Sequence, residues 1–330
     1  MASFRSAWAL FAAVVFTLLF TGCPSGGGDS DGQGGPGAQS ETSGKLSDAH
    51  PVPLTPPEPV KIKMAFVPSN EADTIIEGTK KLDSLLSAKL GIPVESIVLP
   101  HYVAAVEALG TGDCLVGWLP PLAYIYANQR HQARVALKAV RKGTPYYYGQ
   151  LIVRSDSPIQ TLADCRGKRF AWVDPTSTSG YLYPRAMLKA AGIDPDKDLG
   201  DSVATGSHDS VVISVLQGSV DVGACYVDAR ERAKEINPKV MEETRVIAKT
   251  DPIPGDAVVL SGPTYLSDEW AKKLTGALVE VMHSGEGKKI IFDIYEIEDL
   301  LPASDSDYDV VRKMAAELDL DVEAQLGKGK

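Results

Sequence analysis

From Val60 through most of the chain, the apolar residues switch repeatedly between a period of two and a period near 3.6. That switching leaves few architectures open. Lys61 to Val67 alternates and then runs apolar, as a strand entering a core does. Pro68-Ser69-Asn70 breaks it. Between Ala72 and Leu90, the residues Ile75, Ile76, Leu82, Leu85 and Leu86 recur at helical spacing, and Gly91 ends the run. Val94 to Leu99 reads as the next strand. Strands alternating with helices in this way predict an α/β architecture, with mixed, mainly parallel sheets flanked by helices.

One segment echoes another. Val106 to Gly117 and Val212 to Gly223 each read as a helix ending at Gly, then Asp three residues later, then a buried strand. This spacing suggests two similar lobes. Residues 61–150 plus 255–330 are assigned to lobe 1 and residues 151–254 to lobe 2. Gln150 to Arg154 reads as the first crossing between them, and Thr250 to Gly255 as the return. Two crossings make a two-strand hinge with a cleft beside it, a usual place for a small ligand. The amphipathic stretch Asp268 to Met282 is expected to pack back on lobe 1.

The first 60 residues have a different character. Arg5 precedes an apolar run, Ala7 to Phe20, that is short for a membrane span and fits a secretory signal over residues 1–22. The run ends in Phe20-Thr21-Gly22-Cys23, which looks like a lipobox with Cys23 as the lipidated mature N-terminus. Gly, Pro and Ser make up 20 of the next 37 residues, too little apolar surface to order a fold. Residues 23–60 therefore read as a lipid-anchored tether on the outer side of a bacterial membrane. Cys114, Cys165 and Cys225 cannot all pair, and Cys114 and Cys225 sit in apolar strand-like runs, so all three are read as small buried hydrophobes. No metal-ligand spacing is present, and no cofactor is expected. A net charge of −10 excludes nucleic-acid binding through the general field, so an anion would need a local site.

Four features carry candidate chemistry. Arg169 to Val173, a buried strand, runs into Asp174-Pro175-Thr176-Ser177-Thr178-Ser179-Gly180, and a helix pattern follows from Tyr181 to Ala191. Hydroxyls at a helix start cap it, and the same place offers free N–H groups and the positive end of the helix dipole. Ser177, Thr178 and Ser179 would form an anion cradle without Lys or Arg. A plain capped helix is the equal alternative. Gly206-Ser207-His208-Asp209 opens a second helix, where His208 could donate to an oxyanion or serve structure alone. Tyr102 follows a strand, and Tyr146, Tyr147 and Tyr148 precede the first crossing. Asp228 and Asp256 follow a strand and the return crossing, where they could select a ligand bearing a proton or a cationic group. No GxSxG elbow supports a nucleophile, so no catalytic residue is assigned and the chain is not read as an enzyme.

Together these segments resemble the phosphate-, phosphite- and phosphonate-binding proteins of ABC transporters, which have the two-lobed type II periplasmic-binding fold. The resemblance rests on Val67-Pro68-Ser69, on Tyr102 with Ala104 to Leu109, and on Trp118-Leu119-Pro120-Pro121. It continues through Asp174 to Tyr181, Gly206-Ser207-His208-Asp209 and Ile253-Pro254-Gly255-Asp256. It implies that Ser177, Thr178 and Ser179 hold the phosphorus-bound oxygens and that His208 donates to them. It places Tyr102, Tyr147 and Asp256 against the ligand, and Asp228 where aminoalkylphosphonate binders have an acid for the ligand's ammonium. His101 departs from the Asp that many members have before the Tyr. The implied partners are a small phosphorus oxyanion, an ABC permease with its ATPase, and the membrane through Cys23; the protein would act as a monomer. A sensor feeding a signalling receptor, or an enzyme on the same scaffold, are the alternatives.

Overall fold

The computed structural model describes residues 56–70 and 72–320. The expected signal segment, Cys23 and most of the tether lie outside the described residues.

Alternation places a strand's residues on two faces, and in β1 (Ile62–Phe66) both faces are covered. Ile62, Met64 and Phe66 enter one apolar cluster with α1 (Ala72–Leu90), while Ala65 enters another with α2 (Tyr102–Thr111) and α3 (Pro121–His131). The chain reaches those helices through β2 (Val94–Val98) and β3 (Val116–Leu119), then runs on into β4 (Arg134–Val140). A short strand β5 (Tyr146–Tyr147) leads to β6 (Gly149–Arg154), β7 (Phe170–Trp172), α4 (Tyr183–Ala190) and β8 (Ser202–Ala204). Next come α5 (His208–Leu216), β9 (Val222–Tyr226), α6 (Ala229–Arg232), α7 (Val240–Glu243) and β10 (Thr244–Lys249). A second short strand, β11 (Ile253–Pro254), leads back to β12 (Ala257–Leu260), α8 (Asp268–Met282), α9 (Gly285–Tyr295), β13 (Asp299–Pro302) and α10 (Asp309–Glu317).

Two mixed sheets result. One has the order β13-β4-β12-β3-β1-β2, the other β10-β6-β9-β7-β8, and β5 pairs only with β11. Pairing is parallel among β1, β2 and β3 and among β7, β8 and β9; it is antiparallel wherever β4, β6, β10, β12 or β13 takes part. Parallel pairing is therefore confined to one half of each sheet. The strands next to the crossings enter in the opposite sense, because the chain turns back there without a crossover helix.

The crossing expected at Gln150 to Arg154 is instead an interior strand of the five-stranded sheet, β6, paired to β10 and β9. The link between sheets is the antiparallel pair Tyr147↔Ile253 and Tyr146↔Pro254. A strand of two residues is too short for periodicity to show it in sequence. The internal echo corresponds to α2–β3 and α5–β9. Their strands lie parallel beside β1 and β7, and their links turn at Gly112 and Gly218 with φ of 77° and 71°.

Candidate functional site

Every helix that follows β2, β3, β7 and β8 starts at one cavity. Tyr102 is the first residue of α2 and His208 the first of α5; Pro120 and Ser177 precede the helices that begin at Pro121 and Thr178. Tyr102, Pro120, Ser177, Ser179 and His208 all line the same cavity. Four helix N-termini thus direct partial positive charge at one space.

The helix expected from Tyr181 starts earlier. A π-helical turn, Thr178–Leu182, runs straight into α4, with Leu182 N–H donating to Ser177 O at 3.1 Å. The hydroxyl run therefore forms the first turn itself. Ser177 caps it, its Oγ accepting from Gly180 N–H at 3.1 Å, which leaves its hydroxyl proton to donate elsewhere. Gly149 lets this turn seat closely: a Cβ there would stand 2.8 Å from Ser179 O.

Of the expected site residues, Tyr102, Tyr147, Ser177, Ser179, His208, Asp228 and Asp256 are brought together on the cavity wall. Thr178 is not on that wall. It is fully buried, and its Oγ1 accepts from Leu122 N–H of α3 at 2.9 Å, so it ties the turn after β7 to α3. Of the three consecutive tyrosines, Tyr146 and Tyr148 are exposed and Tyr147 packs against the core. Burial, then the charge of Asp256, pushes the Tyr147 phenol well up, and hydrogen bonds with Ser179 and Thr178 work against that rise.

His208 is buried and neutral. Its Nδ1 accepts from Tyr226 N–H at 3.1 Å, which leaves Nε2 as the protonated nitrogen. Burial, with the Arg141 charge added, drives its pKa down to about 3. It therefore offers a donor and no charge. Tyr102 is 1% exposed, and its hydroxyl has no hydrogen-bond partner among the described residues; neither has the indole N–H of Trp118, another wall residue. His101, in place of an Asp, still caps α2: its Nδ1 accepts from Ala104 N–H at 3.1 Å.

The absence of Lys and Arg from the cavity, expected from sequence, is not what the structure shows. Arg141 and Lys142 both line it. The Arg141 guanidinium donates to Asp256 Oδ2 at 2.7 Å and to Tyr295 O at 3.0 Å, and lies 5.9 Å from the Tyr147 ring centroid. Burial alone would lower its pKa, but Asp256 outweighs that and raises it. Lys142 Nζ donates to Asp228 Oδ1 at 2.5 Å. Asp228 and Asp256 are thus already matched by cations of the chain itself. Sequence reasoning missed these cations, together with Trp118 and Asn70. The one signal available was Gly143 between two strand-like runs, a residue suited to a tight turn.

Residues 64–308 match the family described as "ABC transporter, phosphonate, periplasmic substrate-binding protein". The chain is 31% identical over 179 residues to the phosphonates-binding periplasmic protein of Escherichia coli, a match covering 53% of each protein, about half the length of that relative. It is 28% identical over 276 residues to the phosphate-import protein PhnD of Mycolicibacterium smegmatis, covering 77% of this chain and 84% of that one. Its fold is similar to that of PhnD1 from Prochlorococcus marinus, solved in complex with methylphosphonate, with a TM-score of 0.71 at 21% identity over 79% of this chain and 98% of that one.

Proposed function

Because the chain belongs to the family of periplasmic substrate-binding proteins of ABC phosphonate transporters, we propose that it captures a small phosphorus oxyanion and presents it to a permease driven by ATPase subunits. Phosphonate, phosphite and phosphate are the candidates. As a transport component it carries out no chemistry on the ligand. It works outside the cytoplasm, held to the membrane through a lipid on Cys23, as a monomer.

In this reading, the described residues of 61–150 and 255–330 form one lobe and residues 151–254 the other, hinged at β5 and β11. Ser177, Ser179 and His208 hold the oxyanion from the second lobe, and Tyr102 and Tyr147 hold it from the first lobe and the hinge. Asp256 orients Arg141, whose charge offsets that of the ligand. Thr178 acts by tying the lobes. A ligand touched from both sides favours the closed form, since only contacts absent from the open form shift that equilibrium.

The observation that carries the proposal is the buried Tyr102 hydroxyl without a partner among the described residues, on a wall where four helices begin. A buried donor left unmatched costs about 1–3 kcal/mol, a cost that an oxyanion would remove. Calorimetric titration with phosphate, phosphite, methylphosphonate and 2-aminoethylphosphonate tests it. At least one should bind with unit stoichiometry, and Tyr102→Phe should weaken that binding by about 1.5–3 kcal/mol. Silence with all four compounds would end the reading.

A further inference from the structure

The turn that supplies the two cavity cations is tightly specified. Arg141 and Thr144 exchange both backbone hydrogen bonds, at 3.0 and 3.1 Å, around Lys142 and Gly143. The φ angles of Lys142 and Gly143 are 51° and 71°, so both are left-handed, as a two-residue hairpin turn requires. Gly143 N–H also donates to Glu298 Oε2 at 2.9 Å, which fixes the tip of the turn. A lysine does not adopt that backbone by default, and its consequence here is directional. The turn sends the Arg141 guanidinium to Asp256 and the Lys142 ammonium to Asp228.

Among the described residues, Asp228 is the only wall acid other than Asp256. Its side chain is 22% exposed, whereas that of Lys142 is 70% exposed. The ammonium therefore reaches an enclosed carboxylate from the solvent side. That is the chemistry a ligand carrying both a phosphonate and an ammonium would bring to Asp228: a primary ammonium at hydrogen-bond distance, with an oxyanion held deeper by the helix N-termini.

We propose that Lys142 is a specificity-determining residue: its ammonium occupies the carboxylate of Asp228 and so restricts the site to phosphorus oxyanions without a cationic substituent. This rests on the reading of the cavity as an oxyanion site. A zwitterionic aminoalkylphosphonate meets an acid already satisfied and a like charge beside it. Phosphite, phosphate and methylphosphonate meet neither obstacle. Of the two ligand types that Asp228 and Asp256 could select by sequence, one bearing a proton or one bearing a cationic group, the proposal keeps the first.

The test is calorimetric titration of the wild type, Lys142→Gly and the double variant Lys142→Gly/Asp228→Asn with phosphite, phosphate, methylphosphonate and 2-aminoethylphosphonate. Glycine suits the left-handed backbone, so the turn is kept. The wild type should bind its best uncharged-substituent ligand at least tenfold more tightly than 2-aminoethylphosphonate. Lys142→Gly should shift that ratio at least tenfold toward 2-aminoethylphosphonate, and the double variant should reverse the shift. A wild type that prefers 2-aminoethylphosphonate overturns the proposal. So does a Lys142→Gly variant in which all ligands weaken in equal proportion, since Lys142 would then be a general contact for anions. Both of those outcomes leave the oxyanion site standing, whereas no binding of any compound to any variant overturns the site and this proposal together.

Discussion

His208 shows how one hydrogen bond sets a residue's chemistry. Because Tyr226 N–H takes up Nδ1, the ring keeps its proton on Nε2 and stays uncharged. An imidazolium here would have to be buried beside Arg141. The folded-state pKa, about 3, lies below the ordinary 6.5. The unfolded chain therefore gains a proton that the folded protein refuses as pH falls below 6.5. Stability contributed by the neutral ring is complete above that value and is lost on acidification toward 3. Between pH 7.5 and 5, above the carboxylate range, this one group should remove about 2 kcal/mol of unfolding free energy. Urea denaturation of His208→Asn against wild type across that interval should show the slope flattened in the variant. Parallel curves would mean that the ring takes up its proton as readily in the folded protein as in the unfolded chain.

At the scale of elements, the site is made by helix beginnings, each following a strand of one of the two sheets. The π-helical turn at Thr178–Leu182 widens the start of its helix, so that Ser177 and Ser179 reach the cavity while Thr178 faces α3. Such turns interrupt regular helices where side chains must be placed unusually. Its seat is Gly149 at the start of β6. Gly149→Ala would put a methyl 2.8 Å from Ser179 O and 2.9 Å from Thr250 Cγ2, and backbone on one side cannot yield as a side chain does. The variant should lose about 1–3 kcal/mol of stability and bind the oxyanion more weakly, by thermal melts and calorimetry. Unchanged affinity would show that the turn can shift without disturbing the donors.

For the whole molecule, what matters is how the two sheets are held across the cavity. Ser69 O accepts from His208 N–H at 3.1 Å, Asn70 Oδ1 accepts from the Tyr226 hydroxyl at 3.3 Å, and Thr178 Oγ1 accepts from Leu122 N–H at 2.9 Å. Each joins a residue of the first sheet's surroundings to one of the second's. Thr178→Val keeps the shape and removes the acceptor, so under the proposed closing motion Leu122 N–H is left unmatched only in the closed form. The variant should bind the ligand about 1–2 kcal/mol more weakly and, without ligand, show a larger radius of gyration by X-ray scattering. Equal affinity and equal size would remove Thr178 from the closing contacts.

Much of this was legible in the residue order. α1 and α8 fall where their apolar spacing ends, at Ala72–Leu90 and Asp268–Met282, because periodicity, caps and stop signals act within a few residues. The strand-to-helix turns bearing Ser177, Ser179 and His208 were readable for the same reason. Thr178 was misplaced because a π-helical turn rotates side chains by an amount that no residue type announces.

The amino-acid order by itself determined the alternating α/β plan, the helix starts rich in hydroxyls, and a family resemblance that named seven residues of the cavity wall. Only the tertiary structure decided the charge of that wall. Arg141 meets Asp256 across 115 residues of chain and Lys142 meets Asp228 across 86. Coulombic attraction depends on distance through space and on burial, and neither is written in the spacing of letters along a sequence.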